Sequence, residues 1–236
     1  MAKLIPEISV FFPTYNEEGN ILRVVENVKS TLEKVASKWE IIIVDDGSID
    51  NTPEIIKETT KSDSGIRAIT HPTNQGYGSS LRSGFYNAKY NWISFIDSDG
   101  QFDFSEIVNF IDTQKETGAD LVIGYYKRRQ VSLSKRLTSK LWEYLVFTLF
   151  RLKVRDIDCG FKLISKKVID EIPQLESERG AFISSELLIK AKKRGFKIVE
   201  IPVTHYPRLR GEGTGRNLNV IVKSFTDLFR LWRKLR

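Results

Sequence analysis

Hydrophobic positions in the first half of the chain switch repeatedly between a strand period and a helix period. Ile8–Phe12 is a short apolar run that stops at Pro13, and Glu17–Lys34 places Ile21, Val24, Val25, Val28 and Leu32 at helical spacing behind Asn16, a candidate N-cap. Glu40–Val44 reads as a second strand, and Asn51–Thr60 as a helix with Pro53 in its first turn. A strand over Ile66–Thr70, a helix over Gly76–Ala88, a strand over Trp92–Ile96, a helix over Phe104–Glu116 and a strand over Leu121–Ile123 complete the series. Alternation of this kind predicts an α/β fold, a mostly parallel sheet with helices on both faces. Three strands run into acidic or glycine-rich segments, which places those segments on one rim of the sheet, where ligands bind in such folds.

The second half has a different texture. Leu133–Leu152 is rich in apolar and aromatic residues and bracketed by basic ones, too short and too charged at its ends to span a bilayer. Lys197–Val203 reads as a strand. Asn217–Leu235 is amphipathic, with Leu218, Ile221, Val222, Phe225, Leu228, Phe229, Trp232 and Leu235 on one stripe. The expected division is a main unit over 1–216, its halves meeting near 126, followed by a basic amphipathic helix over 217–236.

Composition narrows the chemistry. At 236 residues and 41% apolar the chain can bury a full core. One cysteine, Cys159, and two histidines, His71 and His205, leave no intramolecular disulfide and make a zinc site improbable. Neither a leader-like N-terminus nor a spanning run is expected, so the cytoplasm is the default location. Net charge is +7, and it is segregated: residues 127–155 carry nine Lys and Arg against Glu143, and 205–236 carry eight against Glu212 and Asp227. The remainder is therefore acidic, and the basic segments point to an anionic partner.

Asp97-Ser98-Asp99-Gly100-Gln101 directly follows the Trp92–Ile96 strand. Two carboxylates one residue apart, with the Gln101 amide oxygen, suit a divalent cation that completes its shell with phosphate oxygens. Read alone, the same residues make an ordinary polar turn. Asp45-Asp46-Gly47-Ser48 can likewise be a turn and a cap, and Pro13 can simply end a strand.

Taken together, the motifs resemble those of family 2 glycosyltransferases: Phe11-Phe12-Pro13-Thr14-Tyr15-Asn16-Glu17, Val44-Asp45-Asp46-Gly47-Ser48, Asn74-Gln75-Gly76-Tyr77-Gly78 and Asp97-Ser98-Asp99-Gly100-Gln101, in that order. Asp158-Cys159-Gly160-Phe161-Lys162 and Pro202, Arg208 and Gly211 further resemble its polyprenyl-phosphate branch, the dolichol-phosphate mannose synthase-like enzymes. The resemblance implies a GT-A fold and an inverting transfer of a hexose from a nucleotide sugar to a polyprenyl phosphate. GDP-mannose is the favoured donor and a UDP-hexose the alternative. It also implies that Pro13, Tyr15, Glu17, Val44, Asp46, Asp97, Ser98 and Asp99 hold the nucleotide, and that Asp97, Asp99 and Gln101 hold Mg²⁺ or Mn²⁺. Arg208 and Lys135 would assist the chemistry, with Arg128, Lys135, Arg136, Arg208 and Arg216 facing the acceptor phosphate. Gly76 and Gly78 would let backbone approach the donor.

Two positions depart from the family pattern. Tyr126 stands where an arginine is expected after the fifth strand, and Thr214 where a lysine is expected. Nucleotidyltransferase chemistry would suit the sheet and carboxylates, but that class usually opens with a glycine-rich loop where this chain has Pro-Thr-Tyr-Asn-Glu. A nucleic-acid module would suit the basic segments but not an acidic rim that repels a phosphate backbone. A peripheral membrane contact through 217–236, with Leu141–Phe150 as a second apolar surface, follows from an acceptor of lipid type.

Overall fold

The computed structural model describes residues 3–127, 133–178, 180, 182–208 and 218–235, with backbone alone at 133–139 and 218–224. Seven strands form one sheet: β1 Ile5–Thr14, β2 Ala36–Asp45, β3 Ile66–Thr70, β4 Trp92–Phe95, β5 Leu121–Tyr126, β6 Lys162–Ser165 and β7 Ile198–Val203. Their spatial order is β3-β2-β1-β4-β6-β5-β7. All neighbouring pairs are parallel except those made by β6, which is antiparallel to β4 and β5. The helices are α1 Ile21–Val35, α2 Thr52–Ser62, α3 Tyr77–Asn87, α4 Ile107–Thr117, α5 Leu133–Phe150, α6 Lys166–Glu171, α7 Phe182–Lys193 and α8 Leu218–Lys234.

The core is two-sided because the central strands are apolar on both faces. Val10, Phe12, Ile41 and Ile43 pack under α1, α2 and α4, while Phe11, Ile42 and Val44 pack under α3 and the C-terminal helices. Phe11 stacks on Phe95 at 5.4 Å and meets Phe85 of α3 edge-on at 5.0 Å. A ring fixed on both sides this way costs about 3–5 kcal/mol to truncate.

Several expectations need correction. The first helix starts at Ile21 with Asn20 at its N-cap position, not Asn16. Asn16 is instead left-handed, with φ 54°, and its side-chain oxygen accepts the Ile49 amide at 2.9 Å, joining the loops after β1 and β2. Strand β6 was not anticipated, since four residues beginning with a lysine carry almost no period. Helix α7 was missed for a clearer reason: Phe182–Ala191 is buried all round, so it has no polar face to reveal a helical repeat.

Helix α8 packs against α5 and α7, with Phe225 edge-on to Trp142 at 5.3 Å and Leu228 and Leu231 buried. Much of the described part of its apolar stripe is therefore spent on the protein itself. Phe229 of α8 stays exposed at 49%, and α5 carries three exposed apolar side chains in a row, Leu141, Tyr144 and Phe147, at 52%, 64% and 41%.

Candidate active site

The loops after β1, β2, β3 and β4 are tied to one another at the C-terminal rim. The Asp46 amide donates to the Thr14 carbonyl, the His71 amide to the Asp45 carbonyl, and the Ser98 hydroxyl to the Pro13 carbonyl, each at 2.8 Å. The Glu17 amide donates to Thr52 Oγ1 at 2.9 Å. These bonds bring Pro13, Tyr15, Glu17, Asp46, Ser98 and Asp99 to one region, as the motifs predict. Val44 is fully buried in the core, so its side chain offers a ligand nothing.

Asp46 is heavily engaged. Its Oδ1 accepts the Gln75 amide at 2.9 Å and lies 2.7 Å from His71 Nδ1, and its Oδ2 accepts the Gly76 amide at 2.8 Å. His71 Nε2 lies 2.9 Å from Ser83 Oγ. With a carboxylate at Nδ1, the consistent tautomer donates from Nδ1 and accepts from Ser83 at Nε2. Asp46 thus holds the 74–76 segment in place. Gly76 has φ 100°, a conformation its neighbours would resist. Gly78 serves otherwise than expected: a Cβ there would meet the Ser177 carbonyl oxygen at 2.6 Å, so it makes room for the 177–178 backbone, not for a donor.

Asp97 sits deeper and with less support. Its Oδ1 accepts the Tyr77 hydroxyl at 2.9 Å, and Gly160 approaches so closely that a Cβ would lie 2.4 Å from Oδ2. This gives the Asp158–Lys162 motif a physical reason, since Gly160 must be glycine for Asp97 to fit. Burial, and after it the charge of Asp99, pushes the Asp97 carboxyl up to about 7. Lys162 lies beneath, fully buried, its ammonium donating to the Cys159 and Ile157 carbonyls and its pKa lowered by burial. Tyr77, Gly160 and Lys162 lie within the motifs, which give them no role of their own. Lys162 could have been found only as a charge where a strand should be apolar.

Asp99 Oδ1 accepts the Gln101 amide at 3.0 Å, and its Oδ2 lies 3.8 Å from Arg208 Nη1. The Arg208 guanidinium also donates to Glu17 Oε1. Burial raises the Glu17 pKa, against the pull of Asn20 and Arg208. Gln101 donates its side-chain N–H to the Tyr206 carbonyl at 2.8 Å, and the Tyr206 amide donates to the Gln101 carbonyl at 2.8 Å. Gln101, expected as a metal ligand, is thus also the anchor of the 204–208 segment. Tyr126 stacks on Phe102 and meets His205 at 4.5 Å, so the departure at this position braces that same segment.

Lys135 and Arg136 lie where only backbone is described, and Arg128, Gly211, Thr214 and Arg216 lie outside the described residues. Among the described residues no group of three or more His, Cys, Asp or Glu forms a metal cage. Two carboxylates, one of them raised to about 7 by burial and then by the charge of the other, nonetheless fit a cation that takes its other ligands from a diphosphate and water.

The glycosyl transferase family 2 model matches residues 9–173, a span that holds the β1, β2, β3 and β4 loops. The chain belongs to glycosyl transferase family 2. It is similar to the dolichyl-phosphate beta-glucosyltransferase of Saccharomyces cerevisiae, 34% identical over 221 residues, covering 84% of this chain and 66% of that protein. It is 29% identical over 238 residues to the dolichyl-phosphate beta-glucosyltransferase ALG5A of Trichomonas vaginalis, covering 95% and 72%. Glycosyltransferase AglD of Haloferax volcanii is 26% identical over 235 residues, covering 97% and 37%. The chain thus spans from 37% to 72% of the length of these family 2 relatives. Glucosyl-3-phosphoglycerate synthase of Mycobacterium tuberculosis, solved with Mn²⁺ and UDP-glucose, shares the fold at a TM-score of 0.70 and 21% identity, over 98% of this chain and 79% of that one. The architecture is GT-A. Two of these relatives are named for glucosyl transfer, and the mannose expectation finds no support among them.

Proposed function

We propose that the protein transfers a hexose, glucose in preference to mannose, from a UDP-sugar to a polyprenyl phosphate. The observation that carries the reading is the pairing of Asp97 and Asp99 at the β4 rim, with the Arg208 guanidinium 3.8 Å from Asp99. The names of the glucosyltransferase relatives support the sugar and the acceptor class, and the neighbour solved with UDP-glucose supports the nucleotide.

A phosphate monoester is already a nucleophile at neutral pH, so the chain needs no strong base. One acceptor oxygen bonds to the anomeric carbon as the bond from that carbon to the diphosphate oxygen breaks, with inversion and release of UDP. What the site must supply is cationic charge where two anions meet. Arg208 provides it as a fixed fork of donors, and Lys135, Arg136, Arg128 and Arg216 are the proposed partners of the acceptor phosphate. Mg²⁺ or Mn²⁺ held by Asp97 and Asp99, with Gln101 nearby, would neutralise charge on the leaving diphosphate. Pro13, Tyr15, Glu17, Asp46 and Ser98 frame the nucleotide, with Asp46 contributing through the loop it holds. Tyr77, Gly160 and Lys162 fix Asp97.

The acceptor class also suggests a bilayer contact. No described helix is long and apolar enough to cross a membrane. The exposed side chains of α5 form one stripe, Leu141, Tyr144 and Phe147, that ends at Arg151. Arg151, Lys153 and Lys192 then line a cavity of about 440 Å³. An apolar stripe ending in cations suits a peripheral contact with anionic lipid.

The test is transfer from UDP-glucose, UDP-galactose and GDP-mannose to a polyprenyl phosphate with Mn²⁺. Glucosyl transfer several-fold above the others is expected. Transfer from GDP-mannose alone would overturn the donor assignment, and no transfer to any lipid phosphate would overturn the acceptor.

A further inference from the structure

Arg208 occupies an unusual place for a residue meant to meet phosphate. Its segment is fastened to the β4 loop by the paired bonds between Gln101 and Tyr206, and by His205 packed against Tyr126 and Phe102. From that anchor the guanidinium, 20% accessible, reaches back into the acidic rim. One nitrogen donates to Glu17 of the β1 loop, and another lies 3.8 Å from Asp99 of the β4 loop. A positive group bridging two carboxylates from two different loops is standing where a cation would stand.

The charges explain why. Glu17, Asp97 and Asp99 converge on one half-buried region, where like charges raise one another's energy. Without an opposing cation their loops would be pushed apart. A divalent ion and Arg208 together would overcompensate, unless a further anion arrives with the ion. A nucleoside diphosphate is such an anion, and its geometry suits the guanidinium fork.

We propose that Arg208 keeps the cation's place in the metal-free protein and is exchanged out of it on loading. Asp99 would then hold the metal, and Arg208 would transfer its pairing to the diphosphate that enters with it. The site is thereby held in shape while empty, and an ion without nucleotide is disfavoured because it must expel Arg208 into solvent. This rests on the reading of Asp97 and Asp99 as metal ligands.

The test measures Mn²⁺ binding, by the spectrum of free Mn²⁺, for the wild type, Arg208→Gln and Arg208→Lys, without nucleotide and then with UDP. Without nucleotide, Arg208→Gln is expected to bind Mn²⁺ about five- to fiftyfold more tightly than the wild type, a usual size for coupling between exclusive ligands. Arg208→Lys should fall between. With UDP present the advantage should shrink or reverse, since the variant then lacks its diphosphate partner. In chelator, Arg208→Gln should melt cooperatively but below the wild type, and Mn²⁺ should raise its Tm by more. Equal or weaker binding of Mn²⁺ alone by Arg208→Gln, with UDP-dependent Mn²⁺ binding intact in the wild type, would overturn the exchange and leave the metal site standing. No Mn²⁺ binding by any of the proteins, with or without UDP, would overturn both.

Discussion

Asp46 and Asp97 flank the same strand, one just past the end of β2 and the other just past β4, yet they live under opposite conditions. Asp46 accepts two backbone amides and faces His71, so its charge is spread over three partners. Asp97 accepts one hydroxyl, from Tyr77, and its burial, and after it the like charge of Asp99, lifts it to about 7. A saturated carboxylate is part of the frame. An undersupported one, under the proposed function, is a place for a cation, whose charge would relieve what burial and Asp99 impose.

The largest effect that would test this contrast is on turnover. Asp97→Ala and Asp99→Ala are each expected to lower kcat by about 10³-fold while the protein still melts cooperatively, the usual scale for removing charge stabilisation of a leaving group. Steady-state kinetics at saturating Mn²⁺ check it. Retention of more than a tenth of wild-type kcat in either variant would break the assignment.

Isosteric substitutions sharpen the comparison because they should move stability in opposite directions. Asp46→Asn places an N–H donor against the Gly76 or Gln75 amide, leaving buried donors unpaired, and is expected to cost about 2–3 kcal/mol at any pH from 5 to 8. Asp97→Asn keeps the acceptor for Tyr77 and removes a charge that the fold disfavours. A raised carboxyl pKa means that the stability held with the proton on is present below the unfolded value near 3.8, and is lost as pH climbs through about 7. Asp97→Asn should therefore match the wild type near pH 4 and exceed it by about 1–2 kcal/mol at pH 8 without metal, allowing for solvent at the rim. Thermal melts in chelator across that range decide. A gap that widens toward acid would reverse the sign of the argument.

The same contrast marks what could be read from the sequence. The strand-end carboxylates were legible because a short apolar run stops abruptly at each of them, and the sheet's first four strands follow from such runs alternating with helical spacing. Which of the two acids is saturated was not legible, because Asp46's partners come from residues 71–76 and Asp97's from 77 and 160. Helix α7, with Glu186 and Lys190 paired in its buried interior at 2.5 Å, looks like neither an amphipathic helix nor a core strand. The sugar was hidden for another reason. The motifs that carried the mannose expectation surround the metal and the phosphates, and nothing in that chemistry distinguishes one hexose from another.

The smallest predicted effect concerns α5. The amphipathic pattern of 217–236 points to α8 as the interfacial element; among its described side chains Leu228 and Leu231 turn inward against the domain while Phe229 stays exposed. Leu141, Tyr144 and Phe147 remain exposed on α5, and apolar side chains of that size are stabilised when a bilayer interface covers them. Because each is already partly shielded, one substitution to serine should weaken binding to anionic vesicles by only about threefold, and all three by about tenfold or more. Flotation with vesicles of phosphatidylglycerol and phosphatidylcholine measures this, and 0.5 M salt should weaken it separately through Arg151, Lys153 and Lys192 (order-of-magnitude screening at about 4 Å). Phe229→Ser on α8 is the internal control, since it is the lone exposed large apolar side chain among the described residues of its helix. If Phe229→Ser abolishes flotation while the α5 triple variant floats normally, the contact belongs to α8 after all. If the wild type stays soluble in every vesicle at low salt, the apolar stripe of α5 serves some partner other than a membrane.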